Sequence, residues 1–168
     1  MLLSMNAEAR QLISRLGLVP LPHEGGYFAR TWTSPRKDPG GRAIGSAILF
    51  MITEMDFSAL HRLGTDEMWI FNAGDPAELV RIDPQTGSCS PCVLGPDIAG
   101  GHAPQAVVAS GIWQGARILP APGAGHGWTL FSCTVAPAWD EREFELAQRD
   151  ALVRAFPAHA ALVRALTR

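Results

Sequence analysis

Between Tyr27 and Val135 the chain alternates short apolar runs with clusters of glycine, proline and aspartate, and this punctuation leaves room for strands but not for long helices. The breaks fall at Pro35 to Gly41, Gly74-Asp75-Pro76, Asp83 to Gly87, Gly95 to Gly101 and Pro120 to Gly127. The runs between them, Ala47 to Ile52, Glu67 to Phe71, Glu78 to Ile82, Ala106 to Val108 and Thr129 to Val135, read as strands of an antiparallel sandwich or barrel. Several are apolar at both odd and even positions. Such strands need cover on both faces, which fits a barrel whose outer wall packs on helices or on a second subunit.

The flanks have a different period. Asn6 is placed to cap a helix whose Ala9, Leu12, Ile13 and Leu16 share a face, with Gly17 as its stop and Pro20 beyond it. After Pro137 the spacing becomes helical again, with Phe144 and Leu146 in one segment, Leu152, Val153 and Phe156 in the next, and Leu162, Val163 and Leu166 after Pro157. The expected layout is one domain: a helix within residues 1–17, a barrel over 25–137 and closing helices over 138–168. No internal repeat divides it.

Charge and cysteine usage narrow the partners. Fourteen basic and sixteen acidic residues give a net charge of −2, without the basic stripe that tracks phosphates, so no nucleic-acid partner is expected. The longest apolar run is far below the roughly 20 residues of a spanning helix, and the start Met1-Leu2-Leu3 lacks the layout of a signal peptide. No membrane association and a cytoplasmic location are expected. Three cysteines fit a reducing compartment. Cys89-Ser90-Pro91-Cys92 spells C-x-x-C, but it follows a turn rather than opening a helix, and no second ligand pair accompanies it.

Three ordered pieces carry a resemblance. The first is Leu18 to Tyr27, with His23-Glu24-Gly25-Gly26-Tyr27 before the first barrel strand. The second is Ser58-Ala59-Leu60-His61-Arg62-Leu63-Gly64-Thr65-Asp66-Glu67-Met68-Trp69, followed by Phe71 and Gly74-Asp75-Pro76. The third is Val107 to Ala116, containing Ser110-Gly111 and Trp113-Gln114, and then Ser132 to Pro137. Together they resemble the cupin superfamily of RmlC-like jelly rolls, and more narrowly its fifth catalogued family, over nearly the whole chain. The resemblance implies an all-β double-stranded β-helix with flanking helices and a homodimer paired through edge strands. The chain departs from the family at His23, at Ala29-Arg30 where an Arg-Glu pair is usual, at Ala109 where a Pro is frequent, and at Trp139 where a Phe is common.

Metal-binding cupins converge three histidines and a glutamate inside the barrel. Counted back from Glu67, the paired-histidine positions fall here on Leu60 and Arg62, with His61 between them, and the later histidine position is Gln114. One imidazole, one carboxylate and one amide make a poor first-row metal site, so a divalent metal is the disfavoured cofactor and no metal ligand is assigned. The same residues have other chemistry. Alternation puts Glu67, Trp69 and Phe71 on one face, and a carboxylate against an indole wall has a raised pKa suited to proton transfer.

The expected catalytic pair is therefore Glu67 and His61, the latter at the entrance to the Glu67 strand. Glu24, Tyr27, Ser58, Trp69 and Gln114 are expected to contact the ligand, and Tyr27 is a candidate opposing acid. Each has a plainer reading: His61 as a loop residue, Trp69 and Trp113 as core, Gln114 as a turn residue satisfying backbone groups. His102, His126 and His159 look ordinary. The function expected is binding of a small polar or anionic metabolite, with metal-free isomerase or epimerase chemistry as one form of it. The alternatives are a non-catalytic binding or sensing protein and a metal-dependent oxygenase or hydrolase.

Overall fold

A computed structural model describes residues 5–119 and 125–168, so part of the expected loop over 120–127, and the start Met1-Leu2-Leu3, lie outside the described residues. The capping logic at Asn6 holds: its Oδ1 accepts from the Ala9 amide at 2.7 Å and opens helix α1 (Ala7–Arg15), which stops before Gly17 at φ +62°. Strands follow in the order β1 (Val19–Pro20), β2 (Tyr27–Thr33), β3 (Ser46–Thr53), β4 (Ser58–Leu63), β5 (Asp66–Gly74), β6 (Ala77–Ile82), β7 (Cys92–Leu94), β8 (Gln105–Val108), β9 (Trp113–Ile118), β10 (Trp128–Ala136) and β11 (Phe144–Leu146). Helices α2 (Arg149–Ala155) and α3 (Ala160–Ala165) close the chain. Among the described residues no helix is long and apolar enough to cross a membrane.

The strands form two antiparallel sheets, β1-β2-β3-β10-β5-β8 and β11-β4-β9-β6-β7, folded face to face as a jelly roll. Period-2 alternation explains the strands that are apolar throughout. In β3, Ile48, Phe50 and Ile52 enter the barrel interior with Trp69, Leu79 and Phe131, while Leu49 and Met51 join Ala9, Leu18 and Trp128 under α1. On the second sheet, Leu60, Val80, Ile82 and Trp113 face outward and are covered by Leu152 of α2, Val163 of α3 and Leu166 just beyond it. The outer faces of β3 and of the second sheet are thus covered, as their uninterrupted apolar runs require, while Trp32 and Val107 on the first sheet stay about half exposed.

Four local expectations change. Phe144 and Leu146 belong to a strand, β11, because the free edge of β4 offers backbone partners opposite Leu63 and His61; tertiary pairing overrides a weak helical spacing. The segments of β4 and β9 are full strands despite His, Arg, Gln and Gly in them. His61 therefore stands in mid-strand, and Gln114 in a strand rather than a turn. Finally, the two thiols of C-x-x-C part company: Cys92 packs against the barrel interior and Cys89 against the cluster under α2 and α3.

The β5–β6 turn depends on one glycine. Gly74 has φ +99°, and a Cβ there would overlap the carbonyl oxygen and ring of Trp128. The buried Asp75 beside it accepts from the amides of His126 at 2.9 Å and Gly127 at 2.6 Å, tying this turn to the entry of β10. Gly74→Ala is expected to cost about 1–3 kcal/mol from the backbone conformation alone, with the overlap added. Urea unfolding would show it as a lower midpoint at unchanged slope, and an unaltered midpoint would contradict this account of the turn.

Candidate functional site

The inner faces of β2, β3, β5 and β10 on one side, and of β4 and β11 on the other, enclose a cavity of about 360 Å³. Its walls are mostly apolar, with Phe28, Ile48, Phe50 and Trp69 prominent, and its interior polar groups are Glu24, His61 and Glu67. All three are buried. Glu67 lies on a central strand, paired opposite Val135 of β10 and Val108 of β8, so its place is set from both sides.

The hydrogen bonds at the cavity floor can be assigned from one donor. An indole N–H only donates, so the atom that Trp69 Nε1 meets on Gln114 at 3.0 Å must be the amide oxygen. The amide nitrogen then points the other way and donates to Glu67 Oε2 at 2.6 Å and to His61 Nε2 at 3.2 Å. His61 Nε2 is therefore the acceptor nitrogen. Its Nδ1 carries the proton and donates to the Ala59 carbonyl at 2.8 Å, and the neutral ring stacks on Phe144 with centroids 5.4 Å apart. Trp69 also shares its proton with Glu67 Oε2 at 3.2 Å and is itself gripped edge-on by Phe50 and Phe131.

Glu67 is thus anchored through one oxygen only. Its Oε1 has no protein partner, and among the described residues no fully buried side-chain nitrogen or oxygen goes unsatisfied, so Oε1 opens onto the cavity. Burial pushes the Glu67 carboxyl up to about 7; a positive charge on the nearby imidazole, were it to take a second proton, would oppose this, the charge of Glu24 adds to it, and the bonds from Gln114 and Trp69 oppose it. Glu24 enters from the Pro22–Gly26 turn. Its carboxyl is also raised, first by burial, with His61, the Ser58 hydroxyl and Arg168 opposing. Ser58 Oγ donates to Glu24 Oε1 at 2.8 Å.

That turn is fastened at several points. Gly25 and Gly26 have φ of +98° and +72°, the Gly26 amide donates to Asp56 Oδ2 at 2.9 Å, and the Glu24 carbonyl accepts from Ala59 N at 2.9 Å and from Arg168 at 3.2 Å. A side chain at Gly25 would collide with Arg168 and the Phe57 carbonyl.

Of the residues expected from sequence, Glu24, His61, Glu67 and Trp69 line the cavity, with Gln114 and Ser58 directly behind them. Tyr27 does not. Phe28 and Arg30 take the inner positions of β2, so alternation turns Tyr27 outward against Met51 and the cluster under α1, and its role as an opposing acid is withdrawn. Leu60 and Arg62, onto which the paired-histidine positions are counted, do not face the cavity: Leu60 lies in the outer cluster and Arg62 stands over Trp113 at 4.7 Å, while His61 points inward. The β4–β9 register shifts between Ser58 and His61, which a residue count cannot register.

The metal carried by relatives of this fold does not fit these residues. Both His61 nitrogens are engaged by protein groups, and among the described residues no cluster of three histidine, cysteine or acidic side chains is arranged to hold an ion. The sequence reading also overlooked Arg30, Cys133, Trp139 and Phe144 in the cavity wall. Arg30 was findable, two residues on from Phe28 in the same strand; Phe144 was not, since its strand forms only by pairing with β4.

The sequence of residues 10–147 matches the family described as Cupin superfamily (DUF985). The chain is similar to a protein of Shewanella oneidensis known from its crystal structure, with 32% identity, 98% of this chain and 99% of that one covered, and a TM-score of 0.87. It is equally similar to a hypothetical protein from Leishmania major, with 33% identity, coverage of 95% and 98%, and a TM-score of 0.85. A dTDP sugar isomerase from Desulfovibrio desulfuricans shares the fold at 19% identity, coverage of 83% and 85%, and a TM-score of 0.55. No curated protein matches the chain.

Two measurements test the floor. Nitrogen-15 NMR of His61 is expected to show Nδ1 protonated and Nε2 as the acceptor; the reverse tautomer would break the chain of assignments from Trp69. The second concerns pH. Because Glu67 holds its proton up to about 7 when folded, against an ordinary value of 4.5, its contribution to stability is complete below 4.5 and is lost as pH rises through 7. Relative to Glu67→Gln, the native protein should lose on the order of 3 kcal/mol across that window, and parallel pH profiles of the two in urea unfolding would contradict it.

Proposed function

The chain belongs to the cupin superfamily, in the family described as DUF985, and from that premise we propose that its barrel is the chamber for a small polar or anionic metabolite with which Glu67 exchanges a proton. The observation that carries this reading is the split environment of the Glu67 carboxyl: Oε2 held by two neutral donors, Oε1 facing the cavity, and a pKa of about 7. A group with that pKa is populated in both protonation states near neutrality, which is what a general acid–base requires. Glu24, on a separate wall, is the second carboxyl within the chamber and the natural counter-group for returning a proton to another face of the ligand.

His61 has a supporting role in this reading. With both nitrogens engaged it does not touch the ligand as a base; it holds the Gln114 amide, which in turn holds Glu67. The reaction class that suits two buried carboxyls facing one chamber is proton abstraction beside a carbonyl with return of the proton elsewhere, as in an isomerase or epimerase. The Desulfovibrio neighbour is a sugar isomerase by name, and at 19% identity its likeness supports the fold rather than the reaction.

Thermal-shift screening against metabolites tests the chamber, since a ligand at 100 times its dissociation constant adds about 2.7 kcal/mol. With a ligand in hand, turnover is expected to rise with pH through about 7 as Glu67 ionises, and Glu67→Gln to lower kcat by about 10²–10⁴ while binding persists. Binding without turnover at any pH would make the barrel a sensing or carrier site instead. Turnover unaffected by Glu67→Gln would remove the carboxyl from the mechanism.

A further inference from the structure

The cavity mouth contains a cation that the protein does not use. Arg30 is the last β2 side chain to line the cavity: a bulge at Thr31 pairs Arg30 with Ile48 but Trp32 with Ala47, which sends Trp32 to the outer surface. The Arg30 side chain borders the cavity beside Trp139, its guanidinium 5.9 Å from that ring. Among the described residues it makes no hydrogen bond and no ion pair. Arg42 grips Glu143 through two bonds of 2.9 Å, Arg62 pairs with Glu145, Arg117 with Glu78 and Arg168 with Asp56; Arg15, Arg36, Arg154 and Arg164 are as unpaired as Arg30 among the described residues, but of these five only Arg30 borders the cavity.

The rim around Arg30 is fastened rather than loose. Besides Glu143, Arg42 binds the Ala138 carbonyl at 2.6 Å, and the Trp139 amide donates to Ser46 Oγ at 3.1 Å, so the segment carrying Trp139 and Glu141 is fixed against the barrel end. Arg30 is itself exposed at the mouth, and its guanidinium, with no acceptor among the described residues, offers N–H donors there to an oxyanion. Partial burial already pulls the Arg30 pKa below its ordinary value. An incoming anion reverses that cost.

Resting on the reading of the barrel as a binding chamber, we propose that Arg30 recognises the ligand through a carboxylate or phosphate held at the rim, while hydroxyl or amine donors at its other end meet Glu67 and Glu24 at the floor. The charges fix this direction of entry. An anionic end is disfavoured beside the two buried carboxyls, and Arg30 is the one guanidinium that lines the cavity among the described residues, with Glu141 as a further carboxyl on its wall. A volume of about 360 Å³ holds a molecule of sugar-acid or sugar-phosphate size.

The test is a matched panel: glucose, gluconate and glucose 6-phosphate, and glycerol, glycerate and glycerol 3-phosphate, measured by thermal shift and calorimetry on the native protein, Arg30→Gln and Glu67→Gln. The expected result is that an anionic member binds the native protein at least about tenfold tighter than its neutral counterpart, and that Arg30→Gln removes that advantage while leaving the melting temperature of the free protein unchanged. The carboxylate and phosphate arms decide which oxyanion is preferred. Neutral members binding as tightly as anionic ones, or Arg30→Gln keeping its anion affinity within twofold, would overturn the proposal and leave the chamber standing. If no member binds any of the proteins, the chamber reading falls and this inference falls with it.

Discussion

The indole N–H of Trp69 gives the cavity floor its definition. Because it can only donate, it orients the Gln114 amide; the amide makes His61 Nε2 an acceptor, and the remaining proton of His61 goes to the Ala59 carbonyl. One carboxyl oxygen of Glu67 receives what is left of that donor set, and the other is released to the cavity. Every member is buried, and among the described residues no fully buried side-chain nitrogen or oxygen lacks a partner, so the donor set of the floor is fully used within the protein. Phe50 and Phe131 hold the indole in place, which makes the packing of the barrel core part of the chemistry.

Burying Glu67 and Glu24 in one chamber is costly, and the structure distributes the cost. Each carboxyl is pushed toward its neutral form by burial, and the protonated state of either relieves repulsion from the other. Neutral donors from Gln114, Trp69 and Ser58 stabilise what charge remains without adding a permanent cation at the floor. An amide and an imidazole organise each other, and the carboxyl presents one oxygen to the cavity.

The helices contribute by closing the outside. Leu152, Val163 and Leu166 cover the outer face of the sheet that carries His61 and Gln114, while Arg168, next along from α3, reaches the Glu24 carbonyl and Asp56 to pin the turn that delivers Glu24. The Leu60 amide donates to the Leu166 carbonyl at 2.7 Å and the Leu60 carbonyl accepts from Ala147, so β4 is tied to the closing segment by backbone as well as by side chains. A strand with a histidine, an arginine and little intrinsic preference for extended structure is stable because both its edges and its outer face are occupied.

Composition and period alone determined that the middle of the chain is an antiparallel sandwich or barrel, that a capped helix precedes it, and that Glu67 and Trp69 share one face of a strand. These follow from local rules of capping, turn chemistry and alternation, which need no knowledge of distant neighbours. The family resemblance added Glu24, His61 and Gln114 as residues to watch. What only the tertiary structure decided was which way the strands of mixed composition face: the register shift that sends His61 inward and Leu60 outward, the alternation that removes Tyr27 and admits Arg30, and the pairing that makes a strand of Phe144 to Leu146. Their orientation is set by partners far away in sequence, and in a strand a one-residue slip exchanges inside for outside.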